Sequence, residues 1–320
     1  MKLGRILVTG GAGFIGASLV KRLVAEGARV TVFDNFSTGS RKAVDGCGAT
    51  VIEGDVRDPQ AVERAVAGHD AVAHLAGHAD VAESIKDPML DFGVNVAGSL
   101  NTLMASVKNG VKRFIFASSS AAVGEAPQPV DENSPLKPLS AYGASKMAVE
   151  GYLSACHASY GIQTAALRFS NVYGPGSMMK SDVVSVFFRN ALEGRPLAIY
   201  GDGGQTRDFI YIDDLCRAII LTLENGRHNA GGPNIWGSAY QLGSGTETSI
   251  NSLGDMVKRV VERHAGITAP IEYLPPRPGE IIRNYADISN FSRVFGFKPE
   301  TALPEGLERV WEFFRKELGK

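Results

Sequence analysis

The 320-residue sequence is poor in cysteine, and its charges nearly cancel. Cys47, Cys156 and Cys216 are odd in number, far apart and free of any CxxC pattern, so neither a disulfide framework nor a zinc site is indicated. With 33 basic and 34 acidic residues, the chain lacks the charge excess typical of proteins that bind nucleic acid or membrane surfaces. It also lacks a signal-peptide pattern, a transmembrane run, an internal repeat and a low-complexity linker. A cytoplasmic, globular protein is expected.

What the sequence does contain is a regular alternation of short β-branched runs with helix-length amphipathic stretches. Six such runs follow one another: RILVTG, ARVTVFD, TVIEGDV, AVAHLAG, RFIFASSS and TAALRFSNV. Strands separated by helices predict an α/β fold, a Rossmann-like doubly wound parallel sheet. After NVYGPGS, proline and glycine become denser and the elements shorter. We therefore predict a first domain over residues 1–170, a smaller C-terminal α/β domain over 171–320, and re-entry into the first domain near 207–235.

A glycine-rich turn, VTGGAGFIG, follows the first predicted strand and opens the first predicted helix. Gly10, Gly13 and Gly16 recur at three-residue spacing. Glycine allows a tight turn and a close approach to a pyrophosphate, which the helix N-terminus favours, although such a turn can also be purely structural. Asp34, at the end of the second strand, is placed to bind the adenosine ribose. Its charge repels a 2′-phosphate, which favours NAD over NADP, and Arg41 lies too far along the chain to reverse that preference.

The segment AYGASK places Tyr142 four residues before Lys146 at a predicted helix start, so the two side chains share one face. Tyrosine, with an ordinary pKa of ~10, is a poor base at neutral pH, but a nearby lysine and a cationic nicotinamide favour its phenolate. The pair follows a serine-rich strand end, where ligands collect in parallel sheets. Asp55, at the end of the third strand, has two interpretations: an adenine contact, or a helix N-cap before Pro59.

Nine blocks together resemble the extended short-chain dehydrogenase/reductase superfamily: TGGAGFIG, DNFSTG, GDVRD, HLAG, SSS, YGASK, RFSNVYGP, YGDGGQTRDFIYIDDL and PRPGE. The similarity covers nearly the whole chain and is to nucleotide-sugar epimerases of the UDP-galactose 4-epimerase type. It implies an NAD-dependent isomerase that inverts C4 of a UDP-sugar through a transient 4-keto sugar. It also implies a homodimer, formed by the helices around SLNTLMASVKNG and SKMAVEGYLSACHASYG.

The resemblance assigns site residues by position. Tyr142, Lys146 and Ser119 match the catalytic residues of the family. The matching cofactor-binding positions are Gly10, Gly13, Phe14, Ile15, Gly16, Asp34, Asn35, Ser37, Gly39, Asp55, Val56, Leu75, Ala76, Gly77, Asn95, Ser118, Tyr142, Lys146 and Phe169. The matching substrate-binding positions are Ser119, Ser120, Tyr142, Asn171, Val184, Ala198, Tyr200, Arg207, Arg277 and Asn284. The two arginines carry fork-shaped cations suited to a diphosphate.

Other positions separate this chain from related reactions. Val123 stands where the family usually has a tyrosine, which removes a hydroxyl near the nucleotide sugar. Ser120 and Ala121 stand where nucleotide-sugar 4,6-dehydratases carry an Asp-Glu pair, so that alternative is disfavoured. A non-catalytic NAD-binding protein is disfavoured because Tyr142 and Lys146 are both present.

Three further acidic or basic residues are expected to be structural. His74, at a strand end, is interpreted as a structural histidine rather than a catalyst, and His78 is given no role. Asp213 and Asp214 are interpreted as a turn and a helix cap, not as a metal pair, and no metal site is expected.

Two residues give competing predictions about the sugar. Asn284 matches a position over C2 of the hexose, which is tyrosine in family members restricted to UDP-glucose and UDP-galactose and smaller in those that accept N-acetylated sugars. Room for an acetamido group is therefore expected. Lys180 could instead reach a C6 carboxylate, which would favour UDP-glucuronate. The main hypothesis is UDP-glucose/UDP-galactose, with UDP-N-acetylglucosamine and UDP-glucuronate left open.

Overall fold

The computed structural model of the chain describes residues 4–177, 182–224, 235–276 and 281–317. Its first part alternates strands and helices. In chain order these are β1 (Arg5–Thr9), α1 (Phe14–Ala25), β2 (Arg29–Asp34), β3 (Thr50–Glu53), α2 (Pro59–Val66), β4 (Ala71–His74), α3 (Val81–Lys86), α4 (Pro88–Asp91), α5 (Gly98–Lys108), β5 (Arg113–Ser119), α6 (Ala141–Tyr160) and β6 (Gln163–Phe169). A π-helical turn, Phe92–Ala97, joins α4 to α5, and a 3-10 turn, Ser120–Ala122, follows β5.

The remaining elements are shorter and more mixed. They are β7 (Asn171–Tyr173), α7 (Val183–Leu192), β8 (Leu197–Tyr200), β9 (Thr206–Arg207), β10 (Phe209–Tyr211), α8 (Ile212–Glu224), β11 (Ser238–Leu242), β12 (Thr248–Ser249), α9 (Ile250–Ala265), β13 (Ile271–Leu274), α10 (Ser289–Phe295) and α11 (Leu303–Glu317).

Seven strands form one parallel sheet in the order β11-β6-β5-β4-β1-β2-β3. All six predicted strands belong to it, and the predicted fold class is confirmed. The direction of strand order reverses between β1 and β4, which opens a crevice at their carboxyl ends. The seventh strand, β11, is not predicted by the pattern because its sequence, SAYQL, shows neither alternation nor a long apolar run.

Helices cover both faces of the sheet. On one face α1 packs against α8, and on the other α2, α5 and α6 pack together. The central strands read as nearly continuous apolar runs because both faces are covered, and Leu7, Val72 and Phe114 are fully buried. The crevice therefore lies at the edge of a rigid, closely packed core.

Beyond β6 the described residues form three small two-stranded sheets. These are β7 with β10, β9 with β12, and β8 with β13. Helix α9 packs against α7 and α11. Within the described ranges, no helix combines the length and apolar character that crossing a membrane requires. The division into domains at residue 170 stays a prediction.

Candidate active site

The glycine-rich turn joins β1 to α1 with very little space around it. Gly10 has a φ of +66°, and a Cβ placed there would lie 2.6 Å from the main-chain nitrogen of Ala76. A Cβ on Gly16 would collide with the carbonyl oxygen of Gly10. Gly13 is the N-cap of α1 and has no side chain, and Phe14 and Ile15 follow it in the first turn of this helix, whose N-terminus favours an anion. This cradle fits the pyrophosphate of a dinucleotide.

Asp34 ends β2 and lies buried beside this turn. Its carboxylate accepts the N–H of Ala12 at 2.9 Å and the N–H of Phe36 at 2.8 Å, through different oxygens. Each oxygen keeps a free lone pair that can accept a ribose hydroxyl. Arg41, the first cation after Asp34 along the chain, instead pairs with Glu53 at 2.7 Å. An acid therefore lies beside the glycine-rich turn, and its contact with the ribose stays a prediction.

The loop after β2 closes back on the glycine-rich turn. The N–H of Ser37 donates to Asn35 Oδ1 at 3.0 Å. A Cβ on Gly39 would lie 2.7 Å from the carbonyl carbon of Ala12, so only glycine fits there without a shift. The side-chain amide of Asn35 donates to Asp55 at 2.9 Å, which joins this loop to the end of β3.

Asp55 is held by Arg57, a residue to which the sequence analysis gave no role. Arg57 donates from Nε at 2.9 Å and from a terminal nitrogen at 2.7 Å, and this contact holds the pKa of Asp55 well below its ordinary value. The N-cap of α2 is Asp58, so the N-cap interpretation of Asp55 is wrong. An adenine contact stays a prediction, and it would share carboxylate oxygens that Arg57 already uses. The next residue, Val56, is buried against Gly98.

At the end of β4, Leu75, Ala76 and Gly77 line the opposite side of the crevice. The N–H of Leu75 donates to the carbonyl oxygen of Thr9 at 3.0 Å. Asn95 fixes the next residue, His78, by accepting its N–H at 2.8 Å and donating to its carbonyl oxygen at 2.9 Å. The Asn95 side chain therefore acts on this loop rather than projecting freely into the crevice.

His74 is fully buried, between Thr9 and Ser99. The Ser99 hydroxyl donates to the carbonyl oxygen of Asn95, so His74 Nε2 donates to Ser99 at 2.9 Å and Nδ1 accepts from Thr9 at 2.7 Å. Burial, helped by the charge of Lys146, lowers the pKa of His74 to about 3. A neutral histidine that joins the end of β1 to α5 is structural, as the sequence suggested.

Tyr142, Ser119 and Lys146 meet at the carboxyl end of β5. Ser140 caps α6 by accepting the N–H of Gly143 at 3.1 Å, which puts Tyr142 and Lys146 in the first turns, on one face. Lys146 Nζ lies 5.5 Å from the centre of the Tyr142 ring and donates to the carbonyl oxygen of Ala117 at 2.8 Å. Ser84, a residue not predicted, accepts the main-chain N–H of Tyr142 at 3.2 Å.

Burial changes the pKa values of both members of the pair. It lowers the pKa of Lys146 to about 8. It also raises the pKa of Tyr142, and the hydrogen bond from Ser119 offsets only part of this effect. The protein alone therefore keeps Tyr142 protonated at neutral pH, whereas the sequence predicts a lower pKa with NAD+ bound. Phenolate formation then depends on further positive charge beside the ring.

Ser118 points away from the crevice. Its hydroxyl donates to Glu150 at 2.5 Å, and Glu150 also receives Arg168 at 2.8 Å, all three residues being buried. Any cofactor contact of Ser118 would therefore come from its main chain. Phe169 ends β6 directly opposite Ser119 and is buried, at the sheet edge where a cofactor contact is expected.

The predicted sugar-side residues come from several elements. Asn171 begins β7, Ala198 and Tyr200 lie half-buried on β8, and Val184 is buried in α7. Arg207 is half-buried, and one terminal nitrogen donates to the carbonyl oxygens of Thr206 and Ile281 at 2.7 and 2.8 Å. Arg277 and Lys180 lie outside the described residues.

Asn284 reaches the serine-rich strand end. Its Nδ2 donates to Ser120 Oγ at 3.2 Å, across 164 positions of sequence. Val123, where the family usually has tyrosine, is fully buried, and Gly124 after it has a φ of +71° and lies against the carbonyl oxygen of Lys137. The structure thus joins the predicted sugar-selecting residue to the predicted catalytic loop.

Asp213 and Asp214, expected as a turn and a helix cap, both lie in the first turn of α8. Asp214 is buried and accepts the N–H groups of Glu300 and Thr301 at 3.1 and 2.9 Å, besides pairing with Arg217 at 2.8 Å. Among the residues with described positions, no group of three or more His, Cys, Asp or Glu side chains could hold a metal ion.

The chain is similar to known proteins in both sequence and structure. The model of the NAD dependent epimerase/dehydratase family matches residues 6–242. The chain belongs to that family. Its membership confirms the resemblance inferred from the sequence and the expectation of NAD as cofactor.

Relatives of this family member align over nearly their whole length. The UDP-glucose 4-epimerase of Mycolicibacterium smegmatis is 33% identical over 98% of this chain and 99% of its own. A structure of UDP-glucose 4-epimerase from Thermotoga maritima with UDP-glucose has a TM-score of 0.90 and 36% identity, covering 98% of this chain and 99% of that one. A UDP-N-acetylglucosamine 4-epimerase from Methanobrevibacter ruminantium, in complex with UDP-N-acetylmuramic acid, has a TM-score of 0.89 and 34% identity, covering 99% and 100%.

Proposed function

We propose that this protein interconverts UDP-glucose and UDP-galactose by inverting C4 with bound NAD. The observation that carries the proposal is the meeting of Tyr142, Ser119 and Lys146 at the carboxyl edge of the sheet, beside the pyrophosphate cradle. The positions after Ser119 carry Ser120 and Ala121, which offer no carboxylic acid for the elimination of water. Relatives that are UDP-glucose 4-epimerases support the same reaction.

In the proposed mechanism Tyr142 removes the proton of the C4 hydroxyl and later returns it. Ser119, hydrogen-bonded to Tyr142, bridges the phenol and the sugar oxygen. NAD+, which the glycine-rich turn and Asp34 would hold, would supply a reversible hydride acceptor for C4 and a positive charge beside the phenol. Lys146, with a pKa of about 8, stays protonated at neutral pH and adds to that charge.

Inversion requires the 4-keto sugar to turn over between the two transfers. We assign the anchoring of the diphosphate to Asn171, Arg207 and Arg277, because guanidinium and amide groups can hold it while the hexose rotates. Residues 1–170 would then hold NAD and residues 171–320 the UDP-sugar. The side chain of Asn284 is smaller than tyrosine and leaves room beside C2, so we include UDP-N-acetylglucosamine as a second substrate.

We further propose that the protein works as a homodimer. Met104 on α5 and Tyr152 on α6 are 37% and 44% exposed, and Met89 and Phe92 nearby are 73% and 51% exposed. Large apolar side chains exposed on elements that pack together, as these do, are typical of a protein interface. Sedimentation velocity tests this: a monomer at micromolar concentration would contradict it.

The substrate is tested by NMR with purified protein and four UDP-sugars: glucose, galactose, N-acetylglucosamine and glucuronate. Equilibration of the first two, with slower conversion of the third, is the expected result. Conversion of glucuronate alone would replace the proposed substrate. Loss of water from C6 instead of inversion at C4 would show a dehydratase.

A further inference from the structure

Asp91 is a fully buried carboxylate at the end of α4 to which neither the sequence nor the mechanism above gives a role. It accepts hydrogen bonds through both oxygens. One oxygen receives the hydroxyl of Ser145 in a very short contact, and the other receives Asn95 Nδ2 at 2.7 Å. A carboxylate without solvent contact is costly unless it is paired, so its place in the core needs a cause.

Its two partners belong to two elements, α6 and the π-helical turn, that pack against each other. Ser145 immediately precedes Lys146 on α6, whereas Asn95 clamps the main chain of His78 next to Gly77. A Cβ on Gly77 would lie 2.9 Å from Asn95 Oδ1 and 3.5 Å from Lys146 Nζ. Asp91 therefore joins the catalytic helix to the cofactor loop at the point where both approach the Lys146 ammonium.

The charges around Lys146 leave Asp91 as its counter-ion. The titratable groups facing the Tyr142–Lys146 pair are Asp91 from α4, His74 from β4 and Glu150 on α6. His74 is neutral, and Glu150 is paired with Arg168 from β6, which donates to both its oxygens. The negative charge of Asp91 raises the pKa of Lys146 against the effect of burial, and it also raises the pKa of Tyr142.

We propose that Asp91 is a positioning residue whose buried negative charge sets the pH range in which Tyr142 and Lys146 work. The proposal rests on the C4-epimerase function proposed above. Removing the negative charge of Asp91 stabilises the Tyr142 phenolate and destabilises the Lys146 ammonium. The pKa values of Tyr142 and Lys146 then both fall. Damage to packing alone lowers activity but leaves both pKa values unchanged.

The test is the pH dependence of kcat/KM for UDP-glucose in wild type, Asp91→Asn and Ser145→Ala. Asparagine keeps the size of the side chain and can still bond Ser145 and Asn95. In Asp91→Asn the acidic and the basic limb of the kcat/KM profile should both shift to lower pH, by at least about half a pH unit. Ser145→Ala removes a hydrogen bond but keeps the charge, so its limbs should stay at the wild-type pH. Unchanged limbs in folded Asp91→Asn, or an equal shift in Ser145→Ala, would overturn the proposal.

A second measurement keeps this test separate from the choice of substrate. The phenolate absorbance of Tyr142 is titrated without sugar, as the difference between each variant and the same variant carrying Tyr142→Phe. A lower phenolate midpoint in Asp91→Asn supports the proposal even if UDP-glucose proves not to be the substrate. If Asp91→Asn does not fold, Asp91→Ser replaces it, since the smaller side chain admits a water that can carry the same hydrogen bonds. An unchanged midpoint in the folded variant contradicts the proposal.

Discussion

The cofactor side and the sugar side of the crevice are built differently. On the cofactor side, Asp34, His74 and Asn95 are buried, and each is fixed by main-chain groups or by partners that are themselves fixed. On the sugar side, Arg207 and Asn284 are half-exposed, and Asn284 has a single long hydrogen bond to Ser120. The chemistry therefore depends on the rigid sheet edge, whereas sugar selection depends on a few contacts that can change without disturbing the fold.

On the cofactor side, the largest loss of activity is expected from removing the Tyr142 hydroxyl alone. Tyr142→Phe should lower kcat by ~10²–10⁴-fold, because the C4 hydroxyl then lacks a group to take its proton. The phenyl ring keeps the packing, so the unfolding temperature and the NAD content of the purified protein should match wild type. Turnover close to wild type would remove Tyr142 from the mechanism.

The buried charges under the site should matter more for stability than those at the surface. Glu150→Gln leaves Arg168 without its anion in the core and should cost about 3–5 kcal/mol of unfolding free energy. The matched control is Glu305→Gln, which breaks the exposed pair with Arg309 and should cost about 1 kcal/mol or less. Chemical denaturation measures both variants, and equal losses would contradict the distinction.

His74 should make the cofactor side sensitive to acid. The pKa of His74 is about 3 in the folded protein, against an ordinary value of 6.5 that applies to the unfolded chain. Below about pH 6.5 the unfolded chain therefore binds a proton that the folded protein does not bind. Stability should fall by about 1.4 kcal/mol per pH unit between pH 6 and pH 3. His74→Gln removes this pH-dependent contribution of His74 to stability. The unfolding temperature of the variant should therefore drop less from pH 7 to pH 5 than that of wild type. An equal drop would show that other groups dominate.

The sugar side should accept change with the smallest effect on the whole enzyme. Asn284→Tyr should reduce turnover of UDP-N-acetylglucosamine at least ~10-fold by filling the space beside C2, while UDP-glucose turnover stays close to wild type. Asn284→Ala is the control, since it removes the bond to Ser120 without filling that space. Equal losses on both sugars in Asn284→Tyr would mean that residue 284 supports the catalytic loop instead.

The comparison of the two sides also explains what sequence alone can predict. Gly10, Asp34 and Tyr142 follow strand ends in short patterns, so their positions at one edge of the sheet could be inferred. Asp91 could not, because its partner Ser145 is 54 residues away and only the fold brings them together. The same holds for Ser120 and Asn284. Patterns locate main-chain features of the cofactor side, while side-chain contacts between distant segments require the structure.

The central claim, that C4 is oxidised and then reduced by the same hydride, is tested most directly with UDP-glucose carrying deuterium at C4. The purified enzyme is incubated with this substrate in ordinary water, and the product is examined by NMR. The proposed mechanism predicts UDP-galactose that retains the deuterium at C4, because the hydride removed from C4 is the one returned to it. UDP-galactose with protium at C4, or no galactose at all, would contradict it.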